Sequence, residues 1–504
     1  GYSNGRRANL HSIGVGVRSS RRPHTMDPSP DSSGHGAAHP RWERKHTTPP
    51  GQRVPVWRKA AYGFGGLTDF LYLNIVNAMA VPIFAIALKM DPFLVAVAMA
   101  IPKVIGAVMD PVVGGLSDNT RSRWGRRRPY ILAGGIAGAL MMPLLWIPPT
   151  SSQTGMFVYL AVLLGIFAVA YSFFAVPYGA LGFQLSTDYD ERTRVLAWKT
   201  YVQMIGTLSA AWYYWFCLHP MFGGEVHGIR WLSAIAGVVM LGGVLATFFG
   251  CKEKAETFIE QPRVPLGQAL RLTFSNRPFM LLQAAVLIIA LGTGCEGLIG
   301  SYVHIYYTCQ GSKEFASYIS GIGGSLTIFA TLASVPLGVW LSTHTSKRRG
   351  ALIGLGISLL AVCLLPFTLV PQTPYLIIVS WIILALGMPC ASLMFGSMTA
   401  DITDEDELAT GMRREGLYIA VGGFFGKIVN VVTLLLGGWL PHLAGYSDTS
   451  VPPNQDHLGA MRAMLIGIQI AALFAAIVII WFYPLTRARS EETRRILDAR
   501  KAAA

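Results

Sequence analysis

Six charged residues stand inside apolar stretches of this chain: Asp69, Lys103, Asp110, Lys199, Glu296 and Lys427. A charge at the centre of a bilayer costs about 3 kcal/mol or more, so each of them asks for a partner or a task. Three acids and three bases can nearly neutralise one another around a shared cavity. There the carboxylates accept hydrogen bonds from ligand hydroxyls and the ammonium groups donate them. Aromatic rings beside such charges add flat apolar faces, and rings against C–H surfaces with charges on hydroxyls are the usual chemistry of a carbohydrate site. A carboxyl in the same place can also carry a proton.

Asp69 has Thr68, Tyr72, Asn74 and Asn77 close by, a polar face suited to gripping hydroxyls. Lys103 and Asp110 are seven residues apart, two turns of one helical face or about 10 Å, so they line one cavity without touching. Lys427 lies mid-run in GGFFGKIVNVV, too deep for its ammonium to snorkel easily. Glu296, flanked by glycines in GTGCEGLIG, reads equally as a pairing group or a proton carrier. Asp110, followed by Pro111, reads either as a functional acid of the cavity or as half of an ion pair or helix-end hydrogen bond that holds one closed shape. Tyr178, in FAVPYGALG, is expected to turn its ring into the cavity through a kink at Pro177 and Gly179. Trp212, Tyr213, Tyr214 and Trp215 read as an interfacial aromatic belt.

Membrane-crossing helices must position these groups. The chain has 504 residues, 52% hydrophobic and 13% charged, against about 25% charged in soluble domains. Its apolar blocks run roughly 20 to 28 residues, enough to cross about 30 Å of hydrocarbon as helices. They predict spans near 62–88, 93–116, 130–148, 156–184, 196–219 and 231–250. A second set follows near 279–307, 317–342, 350–369, 374–398, 416–440 and 459–484. Helices follow from solvation, since lipid offers no partner to a backbone N–H or C=O. A membrane β-barrel would need short alternating segments, which are not seen.

The formal net charge of +14 is not spread evenly. Residues 1–59 hold eleven Lys and Arg against three acids, and five arginines fall between Arg121 and Arg128. Further bases lie in every second loop, the positive-inside pattern. It puts both termini in the cytoplasm, in a multi-pass protein of the cytoplasmic membrane. The expected partners are therefore the bilayer and a small solute, not nucleic acid, with the chain acting as a monomer.

The chain divides into a disordered basic tail (1–57), six spans (58–250), a polar cytoplasmic linker (251–277), six more spans (278–485) and a cytoplasmic tail (486–504). Within that tail, 487–501 reads as a short helix capped by Ser490. A faint repeat joins the two sets. RWGRRRPYILAGG answers SKRRGALIGLG, and STDYDERTR answers ADITDEDELATGMRR, both at offsets of about 215–220 residues. The fold expected is an all-α membrane protein of twelve helices in two six-helix bundles, with a cavity between them.

Enzymatic sets are missing. The six cysteines show no CxxC spacing, so neither a disulfide framework nor a metal site is expected. GxxxxGK[ST], HExxH and GxSxG are absent, so neither ATP nor a hydrolytic triad is in play. No cofactor is expected beyond a coupling ion, H+ or Na+.

The arginine-rich loop suggests a gate. Asp118, Arg121, Arg126, Arg127 and Arg128, with Asp190, Glu191, Asp404, Glu405 and Arg413, are expected to close the cytoplasmic face through ion pairs and helix-end contacts. Each such pair is weak, about 0–1 kcal/mol, so the network matters more than any member. The plainer reading is topology alone.

Four stretches resemble the glycoside–pentoside–hexuronide:cation symporter family of the major facilitator superfamily. They are AYGFGGLTDF, DPVVGGLSDNTRSRWGRRRPYIL, NRPFMLLQ and ADITDEDELATGMRREGLYIAVGGFFGKIVN, and the likeness covers roughly 58–485. The resemblance implies alternating access and cation-coupled sugar entry. Asp69 fits the family's sugar-gripping acid, Asp110 its cation-binding acid, and Lys427 the lysine near both sites. Lys199 lies within about a residue of a basic sugar contact. The chain departs from sodium-using members at Gly106, Ala175 and Gly179, where they carry two acids and an aromatic residue, so the resemblance favours protons over sodium. Substrate contacts are thus expected at Asp69, Tyr178, Lys199 and Lys427, and cation coupling at Asp110 and Glu296. The alternatives are a carrier for a lysolipid-like amphiphile or an organic anion, and a sugar sensor that does not transport.

Overall fold

The computed structural model describes residues 53–186, 188–253, 274, 276–411, 414–446 and 451–503. The expected tail lies outside the described residues as far as residue 52, and so does most of the expected linker. Helix α1 spans Val56–Ala80 and runs on as a π-helical turn, Val81–Ala87. Then come α2 (Pro92–Asn119), α3 (Arg128–Leu144), α4 (Gln153–Gln184), α5 (Tyr189–Ala210), α6 (Tyr213–Cys217) and α7 (Glu225–Gly250). The second half holds α8 (Arg277–Gly294), α9 (Glu296–Tyr302), α10 (Lys313–His344), α11 (Lys347–Thr368), α12 (Ile377–Thr410), α13 (Glu415–Leu443) and α14 (Gln455–Trp481), followed by α15 (Arg487–Ala503).

The starts are written in the sequence. Asp91, Ser152, Asp188, Asn276, Ser346 and Asn454 each accept a backbone N–H from the first turn of the helix that follows. Pro92 and Pro278 occupy first-turn positions, where a missing N–H costs nothing. Helix α12 stops at Gly411, whose φ of 71° a side chain would resist. The last helix is entered differently from expectation. The Thr486 hydroxyl receives the Arg489 N–H, and Ser490 lies inside the helix, donating to the Thr486 carbonyl.

Among the described residues, ten helices are long and apolar enough to cross a membrane. The other two expected spans fall on α3 and α5. Helix α3 has 17 residues, about 26 Å. Helix α5 opens with Asp190, Glu191, Arg192 and Arg194 and carries Lys199 further on. Both are packed among the spans, α3 against α4 and α7 and α5 against α1, so the arrangement is consistent with twelve. Within each half the helices pack chiefly on one another, and α2 meets α13 across the halves.

The sequence repeat has a structural counterpart. The Arg128 guanidinium donates to the Phe248 carbonyl and lies 4.6 Å from the centre of the Phe248 ring. Arg348, 220 positions on, donates to the Trp481 carbonyl and lies 5.8 Å from the Trp481 ring. In each half an arginine that opens one helix thus ties down the end of another, through an orphan carbonyl and an aromatic face.

Small residues set the closest approaches. A methyl group on Gly387 would lie 2.7 Å from the Gly354 carbonyl oxygen and 2.7 Å from the Ser358 nitrogen. These are backbone atoms, which cannot swing aside. Gly387→Ala is expected to cost about 1–3 kcal/mol of overpacking. A lowered unfolding midpoint in detergent would register it; an unchanged one would mean that α11 and α12 separate easily.

Candidate functional site

Helices α1, α2 and α4 of the first half and α13 of the second enclose a cavity of about 190 Å³. Its walls are largely apolar. Its polar groups are Lys103, Asp110, Tyr171, Lys427, Tyr72 and Asn77. The Lys427 ammonium lies 2.8 Å from Asp110, an ion pair between the two halves of the molecule. The other Asp110 oxygen accepts from the Ser172 hydroxyl at 2.7 Å. Lys103 shares the cavity but, among the described residues, no carboxylate lies within 4.0 Å of it. Lys103 and Asp110 share one cavity without pairing, as their spacing predicts, and the partner that spacing could not supply is Lys427.

Asp69 is held nearby. It accepts from the Lys199 ammonium at 2.9 Å, the Tyr171 hydroxyl at 3.1 Å and, more loosely, the Gln203 amide at 3.5 Å. Lys199 and Gln203 are four apart on α5, so one face of that helix delivers both donors. A carboxylate has about four acceptor positions. Asp69 therefore keeps capacity for a ligand hydroxyl, and the long Gln203 contact is the easiest to exchange. Tyr171 belongs to both clusters, lining the cavity and bonding Asp69.

The expected placement of Tyr178 is corrected. Its side chain is buried, with its ring stacked on Tyr62 at 4.6 Å and on Phe174 at 5.3 Å. Its hydroxyl donates to the Tyr62 carbonyl. Helix α4 continues through Pro177, and the ring faces the Lys199 ammonium at 5.1 Å. Tyr178 thus supports Lys199 from behind, while Tyr171, two turns earlier, holds the position on the cavity wall. Tyr171, Ser172 and Gln203 were missed by sequence reasoning. Their only signal is a polar group on the same helical face as a residue already singled out. Glu296 is not brought to Asp110; it lines a different cavity, within the second half.

The residues expected at the gate make ion pairs and helix-end contacts. Asp118 pairs with Arg127 at 2.7 Å. Arg126, Arg127 and Arg128 give their backbone N–H groups to the Glu253 carboxylate, which caps the positive end of α3. Glu191 pairs with Lys59 at 2.6 Å and with Arg194 at 3.0 Å. Burial pushes the Glu191 carboxyl up, but hydrogen bonds from Lys59, the Val54 N–H and Arg194 outweigh it and hold the group below the ordinary carboxylate range. Asp404 meets Arg494, and Glu405 meets Arg489. Arg413 lies outside the described residues. Each of these ion pairs joins elements of one half. The reason is geometric: these charges sit at the ends of helices packed side by side within one half, such as α1 with α5 and α12 with α15.

Ties between the halves gather at the opposite end. Glu225, at the start of α7, pairs with Lys313, at the start of α10, at 2.7 Å, and accepts from the Tyr214 hydroxyl. The Trp212 indole donates to Ser325 at 3.0 Å. His442 lies 3.2 Å from Asp91. Gly438 lets α13 press against Ala96 and the Pro92 carbonyl. The aromatic group at 212–215, expected as a belt, thus takes part in the contact between the halves through Trp212.

A helical bundle in two halves, with ion-paired carboxylates beside an apolar cavity between them, defines a multi-pass membrane carrier. The MFS/sugar transport protein family matches residues 61–487, and the chain belongs to it. It is 24% identical to an uncharacterized symporter, YjmB, of Bacillus subtilis, over 86% of this chain and 94% of that one. It is also 24% identical to a putative glycoside/cation symporter, YagG, of Escherichia coli, over 80% of this chain and 86% of that one. Among solved structures, a bacterial homolog of the human lysosomal transporter Spinster, inward-facing and unoccupied, superposes with a TM-score of 0.61 at 13% identity. It covers 87% of this chain and 97% of its own, a likeness of fold.

Proposed function

We propose that the chain carries a sugar or glycoside across the cytoplasmic membrane by alternating access, as a monomer with both termini in the cytoplasm, coupled to protons in preference to sodium. The observation that carries this reading is the Lys427–Asp110 pair, made between the halves beside a cavity whose other wall leads to Asp69. The family and the glycoside/cation relative support it. Asp69, with Lys199 and Tyr171, grips sugar hydroxyls. Asp110 holds Lys427 while it is charged. A proton on Asp110 removes that attraction and lets α13 move relative to α2. Sodium prefers several oxygen ligands in a tight cage, and Gly106, one turn from Asp110, offers none. In this orientation the ties at Glu225–Lys313 and Asp91–His442 close the outer face, leaving the arginine-loop end as the route to the cytoplasm.

The test is uptake into proteoliposomes of labelled D-xylose, D-glucose, methyl β-D-glucoside and D-glucuronate, with a pH or a sodium gradient imposed at fixed voltage. Accumulation of at least one sugar on the pH gradient is expected. Accumulation driven by sodium alone would reject proton coupling. Binding without accumulation would make the chain a sensor, and uptake of lysophosphatidylcholine with no sugar would make it an amphiphile carrier.

A further inference from the structure

A cavity of about 630 Å³ opens at the arginine-loop end of the second half, where α11 and α15 begin and α10 and α14 end. It has no part in the site described above. Its charge is of one sign. Arg348, Arg349, Arg487 and His344 line it, and among the described residues no aspartate or glutamate does. Arg487 pairs with Glu491, which lies outside the lining. Arg348 donates to two neutral acceptors, the Trp481 and Tyr483 carbonyls, so its charge is left uncompensated. The exposed Arg349 side chain makes no hydrogen bond or ion pair among the described residues; only its backbone N–H is taken up, by the Ser346 hydroxyl.

The first half shows what this place takes. Arg128 and Phe248 there answer Arg348 and Trp481 here. Five positions beyond Phe248 stands Glu253, whose carboxylate receives the N–H groups of Arg126, Arg127 and Arg128. Five positions beyond Trp481 stands Thr486, a hydroxyl in place of that carboxylate. Thr486 lines the cavity, and its oxygen is taken by the Arg489 N–H. The N–H groups of Ser346, Lys347 and Arg348, which match those of 126–128, have no acceptor among the described residues. The second half thus keeps the arginine and the positive helix end and lacks the internal anion.

The rest of the wall selects among anions. Trp481 and Leu352 give it apolar surface, and Trp340 stacks on His344 at 5.0 Å. Trp340, Trp481 and Phe482 are 56%, 60% and 71% exposed, a rim of aromatic side chains of the kind found where helices leave the hydrocarbon. A free phosphate has no use for such a rim. A phospholipid has, with its phosphate on the guanidinium groups and its acyl chains along the ring faces. We propose that Arg348, Arg349 and Arg487 bind the headgroup phosphate of an anionic phospholipid, which fills the place that Glu253 fills in the first half. The bound phosphate joins the start of α11 to the start of α15. This holds whatever solute the central cavity carries.

The full chain in a neutral detergent is titrated with dioleoylphosphatidylglycerol or dioleoylphosphatidylcholine, and the lipid retained is read by native mass spectrometry. A single phosphatidylglycerol is expected to be held at a concentration roughly tenfold below that needed for phosphatidylcholine, the scale of one or two arginines acting on an anionic headgroup. Arg349→Glu is expected to erase that preference, and Arg349→Lys to keep most of it. Thr486→Glu, which gives the second half the carboxylate of the first, is expected to expel the lipid without lowering the unfolding midpoint. Equal retention of the two lipids overturns the site. So does a preference for phosphatidylglycerol that survives both Arg349→Glu and Thr486→Glu. Inorganic phosphate is the third ligand tested. Its retention, with no preference between the lipids, assigns the cavity to a soluble anion and overturns the lipid.

Discussion

Asp69→Asn is expected to weaken sugar binding by roughly 1–3 kcal/mol, about 5- to 150-fold, the scale of a hydrogen bond to a charged group. The Asp69 and Lys199 side chains are only 17% and 23% exposed, so removing one leaves the other poorly solvated. Breaking such a pair by one partner costs more stability than removing both. Lys199→Met is therefore expected to lower both binding and the unfolding midpoint. The double variant Asp69→Asn/Lys199→Met should recover much of the midpoint and none of the binding. Equilibrium binding of the transported sugar and thermal unfolding in detergent separate the two effects. Unchanged binding in Asp69→Asn would remove that residue from the site.

Lys427→Gln is expected to abolish accumulation on a pH gradient, with facilitated exchange of sugar surviving at a reduced rate. The pair with Asp110 is the ion pair that joins the halves beside the cavity, and its geometry at 2.8 Å depends on how α2 and α13 meet. With the ammonium gone, protonation of Asp110 no longer changes any attraction between the halves. Asp110→Asn should give the same phenotype, since it fixes the neutral state. The double variant Asp110→Asn/Lys427→Gln should be no worse than either single one, the sign of two residues acting as a unit. Counterflow and gradient-driven uptake in the same proteoliposomes distinguish uncoupling from misfolding. Strictly additive losses would mean that the two residues act in separate steps, and full accumulation in either single variant would exclude the pair from coupling.

The spans and the repeat were legible because hydropathy and helix caps are local. Asp91, Ser152, Asn276 and Asn454 announce their helices within four residues. The hydrocarbon thickness then sets the lengths. The charged residues were legible as exceptions, since nothing apolar explains Asp69 or Lys427. The family resemblance added roles that periodicity alone does not contain. Helix α5 shows the limit of hydropathy, because a span rich in Asp, Glu and Arg at its start belongs to the bundle only by packing on α1.

Partnership was not legible. Lys427 and Asp110 are 317 positions apart, and Lys313 and Glu225 are 88 apart. No sequence period reaches such distances, and which acid meets which base follows from where helices cross. The arginines of 121–128 show the same limit. Their number pointed to a gate, and it did not show that Glu253 receives the backbone N–H groups of Arg126 to Arg128 or that the Phe248 carbonyl receives the Arg128 guanidinium. Tyr171 and Tyr178 lie on one helix seven residues apart, and only packing put one on the cavity and the other behind Lys199. By itself the sequence determined that this chain crosses the membrane as helices and which charges lipid would not tolerate, because transfer from water depends on each residue and its near neighbours. Tertiary structure alone decided how those charges pair and which cavity each one faces, because a carboxylate's partner is whatever the close packing of distant helices brings within about 3 Å.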